Sequence, residues 1–351
     1  MPEHIRQEPK VLVSTENLNE QEWLAYRRRG IGGSDVAAIL GISPFRTARD
    51  LYDDKLNIAS AVDDTGNWVA LEMGHLLEPL VARIFAKKTG LEVFQIKKMF
   101  QHPQHPFMLA DVDYFVRLPN GKIAILEIKT TNYNAKDHWW KDGEECVPVY
   151  YETQGRHYMT VMDIDEIFYC CLYGNNEDEV VIRHLYRDRE YEQEMIYLER
   201  AFWHDHILTR IPPPYTEDGS LILESLRRRL GAADKTIPAI QLDSDLSAVM
   251  LRYLSLQEQR QQVETQAKTL DAEMQRLKGR MVAKLNGSCM AMGEYGGTQY
   301  TISYNPVSRT GITKDNLQKM KLLHPEIYDE YVTVSESRRF CIKAKAADEA
   351  A

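Results

Sequence analysis

The spacing of apolar positions changes several times along the first two hundred residues. Asn19-Glu20-Gln21-Glu22 ahead of Trp23-Leu24 predicts a short capped helix. Ser34 reads as the N-cap of a second one, residues 35–41, ended by Gly41. Ser43-Pro44 reads as the opening of a third, residues 46–57. Residues 67–90 carry a helical stripe of Leu71, His75, Glu78, Ala82 and Phe85, with Gly90 as its stop; the Glu78-Pro79 pair implies a fresh helical segment from Pro79. The period then drops to two. Residues 92–100, 106–118 and 122–132 read as three strands, the last two joined by the hairpin signal Pro119-Asn120-Gly121. A helix over 148–165, strands over 166–174 and 180–186, and a long helix over 189–210 follow. This order predicts an α/β fold, a mixed central sheet flanked by helices.

The three prolines at 212–214 interrupt that order, so the chain divides into a domain over 1–212 and a Pro-rich linker over 213–241. Over 242–286, Leu251, Leu254, Val263, Leu270, Met274, Leu277 and Met281 recur at three- and four-residue steps, the mark of one long helix of coiled-coil character. A hairpin over 290–304, a helix over 314–331 and a last strand over 338–345 make residues 287–351 a small α+β domain.

Composition narrows the class. No apolar run nears the roughly 20 residues of a membrane span, and the N-terminal stretch Met1–Lys10 has no apolar signal core, so a cytoplasmic protein is expected. Five scattered cysteines without C-x-x-C spacing fit neither a disulfide framework nor a zinc or iron–sulfur site. A net charge of −9 argues against a protein that merely coats nucleic acid, though a local basic groove is compatible with it. His102 with His105, and His204 with His206, read as loop and helix-end residues rather than ligands, and Trp139-Trp140 as packing rather than base stacking.

The candidate chemistry lies in the strand Ile123–Thr130. Glu127 and Lys129 are two residues apart, so they share a face of an apolar strand. Across the hairpin, Asp111 or Asp113 would lie beside Glu127. Two buried carboxylates repel, and a hard divalent cation removes the penalty; oxygen ligands of this kind suit Mg²⁺, with Mn²⁺ as a substitute. Asp53-Asp54-Lys55 repeats the acid-x-Lys spacing, but in a helical segment of solvent type. The Gly-rich turn before Ser34 offers backbone N–H groups to an anion, and Arg27, Arg28 and Arg29 offer guanidinium contacts to a phosphate.

Four stretches in order, residues 30–45 (GIGGSDVAAILGISPF), 72–79, 126–131 and 150–159, together with the acids at 111 and 113, resemble the YqaJ-type viral recombinase and lambda exonuclease family of the PD-(D/E)xK nuclease superfamily. The likeness covers roughly residues 20–210. It implies a restriction-endonuclease-like core; the long helix and the small C-terminal unit fall outside it. It implies that Glu78, Asp113, Glu127 and the backbone carbonyl of Ile128 bind metal, that Lys129 acts on the attacking water, and that Gln154 faces the site. Ser34 and one of Arg27, Arg28 or Arg29 would hold a phosphate. It further implies 5′-to-3′ digestion of one strand of duplex DNA, a single-strand annealing protein as partner, a ring-shaped homotrimer and a phage or prophage origin. The residues themselves leave open an endonuclease on the same fold, or a non-catalytic DNA-binding or assembly factor.

Overall fold

The structure, a computed structural model, describes residues 8–58, 68–230, 236, 238–295, 298–305 and 312–332. They belong to two units, 1–232 and 233–351. In the first unit the elements run β1 (Lys10–Ser14), α1 (Glu20–Arg27), β2 (Ile31–Gly32), α2 (Gly33–Ile39), α3 (Ala48–Lys55), α4 (Trp68–Thr89), β3 (Glu92–Phe94), β4 (Lys98–Gln101), β5 (Met108–Asp111), β6 (Tyr114–Arg117) and β7 (Ile123–Thr130). A 3₁₀ turn (Tyr133–Trp139) and the short strands β8 (Trp140–Lys141) and β9 (Glu144–Glu145) lead into α5 (Val149–Met162). Then come β10 (Glu166–Leu172), β11 (Val180–Tyr186), α6 (Arg189–Phe202) with a π-helical extension (Trp203–Leu208), and α7 (Gly219–Leu230).

Among the described residues, the main strands form two sheets. One has the order β11-β10-β7-β6-β3, the other β1-β4-β5-β2. In the first, β7 pairs parallel with β10 and antiparallel with β6, so the sheet is mixed. Strand β7 is central and buried on both faces. Ala124, Leu126 and Ile128 pack with Val81, Ala82 and Phe85 of α4, while Ile125 joins Met159, Ile167 and Tyr169 on the α5 side. Period-two alternation therefore sends Glu127 and Lys129 towards α5, as expected. Gly155 lets α5 come close to β10: a Cβ there would collide with the Tyr169 hydroxyl.

Several elements differ from expectation. The runs 92–100 and 106–118 are not single strands. Each breaks in the middle and passes from one sheet to the other, β3 to β4 and β5 to β6, with Val112 and Asp113 at the second crossing. The third helix starts at Ala48, not at Ser43-Pro44, because Thr47 and Asp50 form a reciprocal cap. Helix α2 is capped at Gly32, which puts Ser34 inside the first turn rather than at the N-cap. Helix α4 runs through Pro79 as one segment of 22 residues. The long helix after β11 changes to π geometry at Trp203. Strand β1 had no clear signal, being five residues of an edge. Trp139 is buried as read, whereas Trp140 lies on the surface under Arg183.

The proline-rich stretch is not simply a spacer. Helix α7 docks on α3: Ser225 Oγ donates to Asp50 Oδ1 at 2.7 Å, Arg228 Nη2 lies 3.0 Å from Asp50 Oδ2, and Glu217 Oε1 accepts the Ala48 N–H at 2.7 Å. The second unit holds α8 (Ser244–Leu285), the hairpin β12 (Met290–Tyr295) and β13 (Thr298–Ser303), α9 (Lys314–Leu323) and α10 (Pro325–Tyr331). The strand expected over 338–345, and Cys341 with it, lie outside the described residues. Among the described residues no helix is long and apolar enough to cross a membrane.

Candidate active site

Strand β7 and helix α5 bring three of the expected residues into one hydrogen-bonded group. Lys129 Nζ lies 2.7 Å from Glu127 Oε1 and 3.0 Å from Gln154 Oε1, and Gln154 Nε2 donates to Glu127 Oε1 at 2.5 Å. Glu127 is 1 % exposed and Gln154 is 7 % exposed, so all this takes place at low dielectric. The Tyr151 ring lies under the ammonium, 4.8 Å from its centroid. The second carboxylate oxygen of Glu127, Oε2, is buried and has no hydrogen-bond partner among the described residues. A buried ionised oxygen in that position needs a cation or a proton.

Asp113 sits where β5 passes into β6. Extending the Tyr114↔Leu126 pairing by one residue puts Asp113 opposite Glu127, and its Oδ2 accepts the Ile128 N–H at 2.9 Å. Asp111 belongs to the other sheet, and its Oδ2 accepts the Trp23 indole N–H at 2.7 Å. Of the two acids, it is Asp113 that lies opposite Glu127. Glu78, half-buried on α4, faces Asp111 and Asp113 across an open cleft of about 430 Å³, walled also by Trp23, Arg27, Ser34, His75 and Tyr158. The trio Glu78, Asp113 and Glu127 is not drawn together tightly. Among the described residues, no three acidic, His or Cys side chains are gathered closely enough to clasp an ion on their own.

The charges of these groups bear on one another. Burial, and then the charge of Glu127, raise the Asp113 carboxyl well above its usual range, against the pull of Lys129 and the Ile128 N–H. Burial likewise raises Glu127, opposed by Lys129. Glu78 is pushed up to about 7 by burial and then by Asp113. Burial alone would lower Lys129, but Glu127 and Asp113 outweigh it and hold the ammonium at about 12. Lys129 is therefore held in its charged form.

The three arginines separate. Arg27 lines the cleft, where it contacts Ser34 Oγ and lies 3.0 Å from Asp35 Oδ1. Arg28 turns to Asp54, with Nε 3.3 Å from Oδ1, and Arg29 lies over the Tyr26 ring. Of the three, only Arg27 shares the cleft with Ser34. The glycine-rich turn is less open to an anion than its sequence implies, because Asp35 Oδ2 already accepts the Gly32 N–H at 2.8 Å.

Asp35 was not among the expected residues, nor were the partners it collects. It is fully buried and ion-pairs with Arg27, with Arg46 and, at 2.6 Å, with Lys55. Burial would raise its carboxyl, but Lys55, Arg27 and Arg46 keep it well below the usual carboxylate range. Asp53 and Lys55, read as part of a solvent-facing helix, are both buried. Burial lowers Lys55 to about 8 despite Asp35. The one sequence signal was an acid three residues after Gly32, placed to accept the Gly32 N–H.

Residues 22–165 match the family model of the YqaJ-like viral recombinase domain. The YqaJ protein of Bacillus subtilis strain 168 is 31 % identical over 338 residues, which span 95 % of this chain and 97 % of that protein. Among solved structures, LHK-Exo in complex with dAMP is similar at a TM-score of 0.45 and 19 % identity, covering 60 % of this chain and 97 % of that one. A phage-related exonuclease from Haemophilus somnus 129PT gives a TM-score of 0.37 and 13 % identity, over 52 % of this chain and 96 % of its own.

Proposed function

The chain belongs to the YqaJ family, and from that premise we propose that its first unit is a Mg²⁺-dependent exodeoxyribonuclease that digests one strand of linear duplex DNA from the 5′ end. The observation that carries this reading is the buried, partnerless Oε2 of Glu127, with Asp113 opposite it and Lys129 beside it. Glu127, Asp113 and the Ile128 carbonyl would hold the ion, with Glu78 reaching it from across the cleft. Bound there, Mg²⁺ (or Mn²⁺) supplies charge neutralisation at the scissile phosphate and acidifies a water.

The chain's own groups do the rest. Gln154 and Glu127 together fix the Lys129 ammonium, which stays charged and stabilises the negative charge that builds on the phosphate during attack. Arg27 and Ser34 hold a neighbouring phosphate along the cleft, so that the DNA strand is aligned before it reacts. The single strand left behind would pass to an annealing protein in recombination.

The test is digestion of 5′-phosphorylated linear duplex against covalently closed circular DNA, each with Mg²⁺, Mn²⁺ or EDTA. Mononucleotides released from linear DNA only, and none in EDTA, are expected. Cuts in the closed circle would give the endonuclease reading instead. No hydrolysis under any condition would leave a DNA-binding or assembly factor.

A further inference from the structure

Helix α8 runs for 42 residues and exposes an apolar seam in strict heptad phase. Leu246, Tyr253, Arg260, Ala267, Met274 and Met281 occupy the a positions, and Val249, Leu256, Val263, Leu270 and Leu277 the d positions. Leu251 and Leu254, which the simple three- and four-residue count included, fall outside this seam. Leu246, Val249, Leu256, Val263, Leu270, Met274, Leu277 and Met281 are all between 43 % and 66 % exposed. The seam spans 36 residues, about 54 Å at 1.5 Å per residue, and five heptads exceed the three or four that mark a coiled coil.

We propose that this seam is an interface between two copies of the chain, their α8 helices paired antiparallel. The charges decide the direction. In a parallel in-register pair, Arg260 would face Arg260 of the other copy inside the seam, and Ala267 would face Ala267 and leave a void. The antiparallel register that centres between residues 260 and 263 removes both faults. Arg260 meets Val263 and keeps its own Glu264 as partner, 2.8 Å away, and Ala267 meets Leu256, small against large. Leu246 meets Leu277, and Val249 meets Met274.

The flanking positions agree. Antiparallel pairing opposes g to g and e to e. Asp245 then faces Arg280, Arg252 faces Glu273 and Asp243 faces Lys278, while Gln259 faces Gln266 and Glu264 faces Gln257. No like charges oppose each other. In the parallel register, Glu273 with Lys278 is the only pair of opposite charges between g and e positions of α8.

The experiment is sedimentation of the full chain as a function of concentration, without DNA, with circular dichroism to verify that each variant is folded. Wild type is expected to self-associate, and Leu256→Glu with Leu270→Glu is expected to abolish the α8-dependent step. Arg252→Glu alone and Glu273→Arg alone, each setting like charges face to face twice, are expected to weaken association about tenfold or more. The double reversal Arg252→Glu with Glu273→Arg restores it to within about threefold, because only the antiparallel register opposes these two positions. A wild-type chain whose association is unchanged by Leu256→Glu with Leu270→Glu, as for a ring closed through the first unit alone, overturns the proposal. So does a monomeric wild type with α8 covered by something else, or a double reversal no stronger than the single ones.

Discussion

At the residue scale, the site depends on charges that are costly by themselves. Replacing Glu127 by Gln keeps the shape and removes the charge; replacing Lys129 by Met removes the fixed cation. Each is expected to lower cleavage of linear duplex by about 10²–10³-fold, the usual loss when one group that stabilises developing charge is removed. Asp111→Asn, which keeps an acceptor for the Trp23 indole, should cost far less than Asp113→Asn; equal losses in the two would show that the assignment is wrong. A second expectation concerns pH. Glu78 has its folded value at about 7, against an ordinary 4.5, and Asp113 is raised as well. Between those values the metal-free folded chain keeps protons that the unfolded chain has released, so its stability falls as pH rises from about 4.5 to 7. Mg²⁺ favours the ionised carboxylates and opposes that fall. Melting temperatures in EDTA and in Mg²⁺ should therefore diverge as pH rises from 5 to 8; parallel curves would count against metal binding by these acids.

At the element scale, strand periodicity was enough to put Glu127 and Lys129 on one face, and the hairpin register brought Asp113 to them. These follow from local rules, the alternation of a strand and the pairing of its neighbour. Where a run leaves one sheet for another was not legible, because residues 107–118 contain no Gly, Pro or Asn to mark a break and Val112, at the crossing, is buried like a strand residue. The Asp35 group was hidden for a related reason. Arg27 and Lys55 stand on two different helices and Arg46 in a loop, and nothing local shows that α1, the loop before α3 and α3 itself converge on one carboxylate. A short approach between elements makes a sharper prediction. With Gly155→Ala, the added methyl meets the Tyr169 hydroxyl, which donates to the Tyr151 carbonyl at 3.0 Å. The overpacking should destabilise the first unit by about 1–3 kcal/mol in chemical denaturation. A variant within 0.5 kcal/mol of wild type, on the ~0.5 kcal/mol scale of neutral surface changes, would mean that α5 shifts freely on β10.

At the scale of the whole molecule, the division near residue 232 falls after α7 rather than before it. Prolines signal a break in the regular pattern, and they do not tell whether the chain then leaves the domain or returns to it. It returns, and the anchor is polar: Asp50 is buried and its carboxylate accepts hydrogen bonds from Thr47, Ser225 and Arg228. Thr47 donates to the Asp50 carboxylate and also accepts the Asp50 N–H, so the helix cap and the tertiary contact share one acid. Ser225→Ala leaves Asp50 one donor short in a buried place and should lower stability by about 1–3 kcal/mol, with turnover of DNA unchanged because neither residue lines the cleft. Thermal melts and initial rates on the same preparation test both halves of that expectation.

The passage of the chain through Val112 and Asp113 has one more consequence. Two sheets use this dipeptide as a common ruler: the count of residues from Met99's partner at 111 to Leu126's partner at 114 is fixed by pairings on both sides. One residue gained or lost here would flip every side chain of β6 to the wrong face and carry the acid away from β7. Natural variants of this chain should accordingly tolerate length changes in the Pro119–Gly121 turn and admit none between positions 111 and 114.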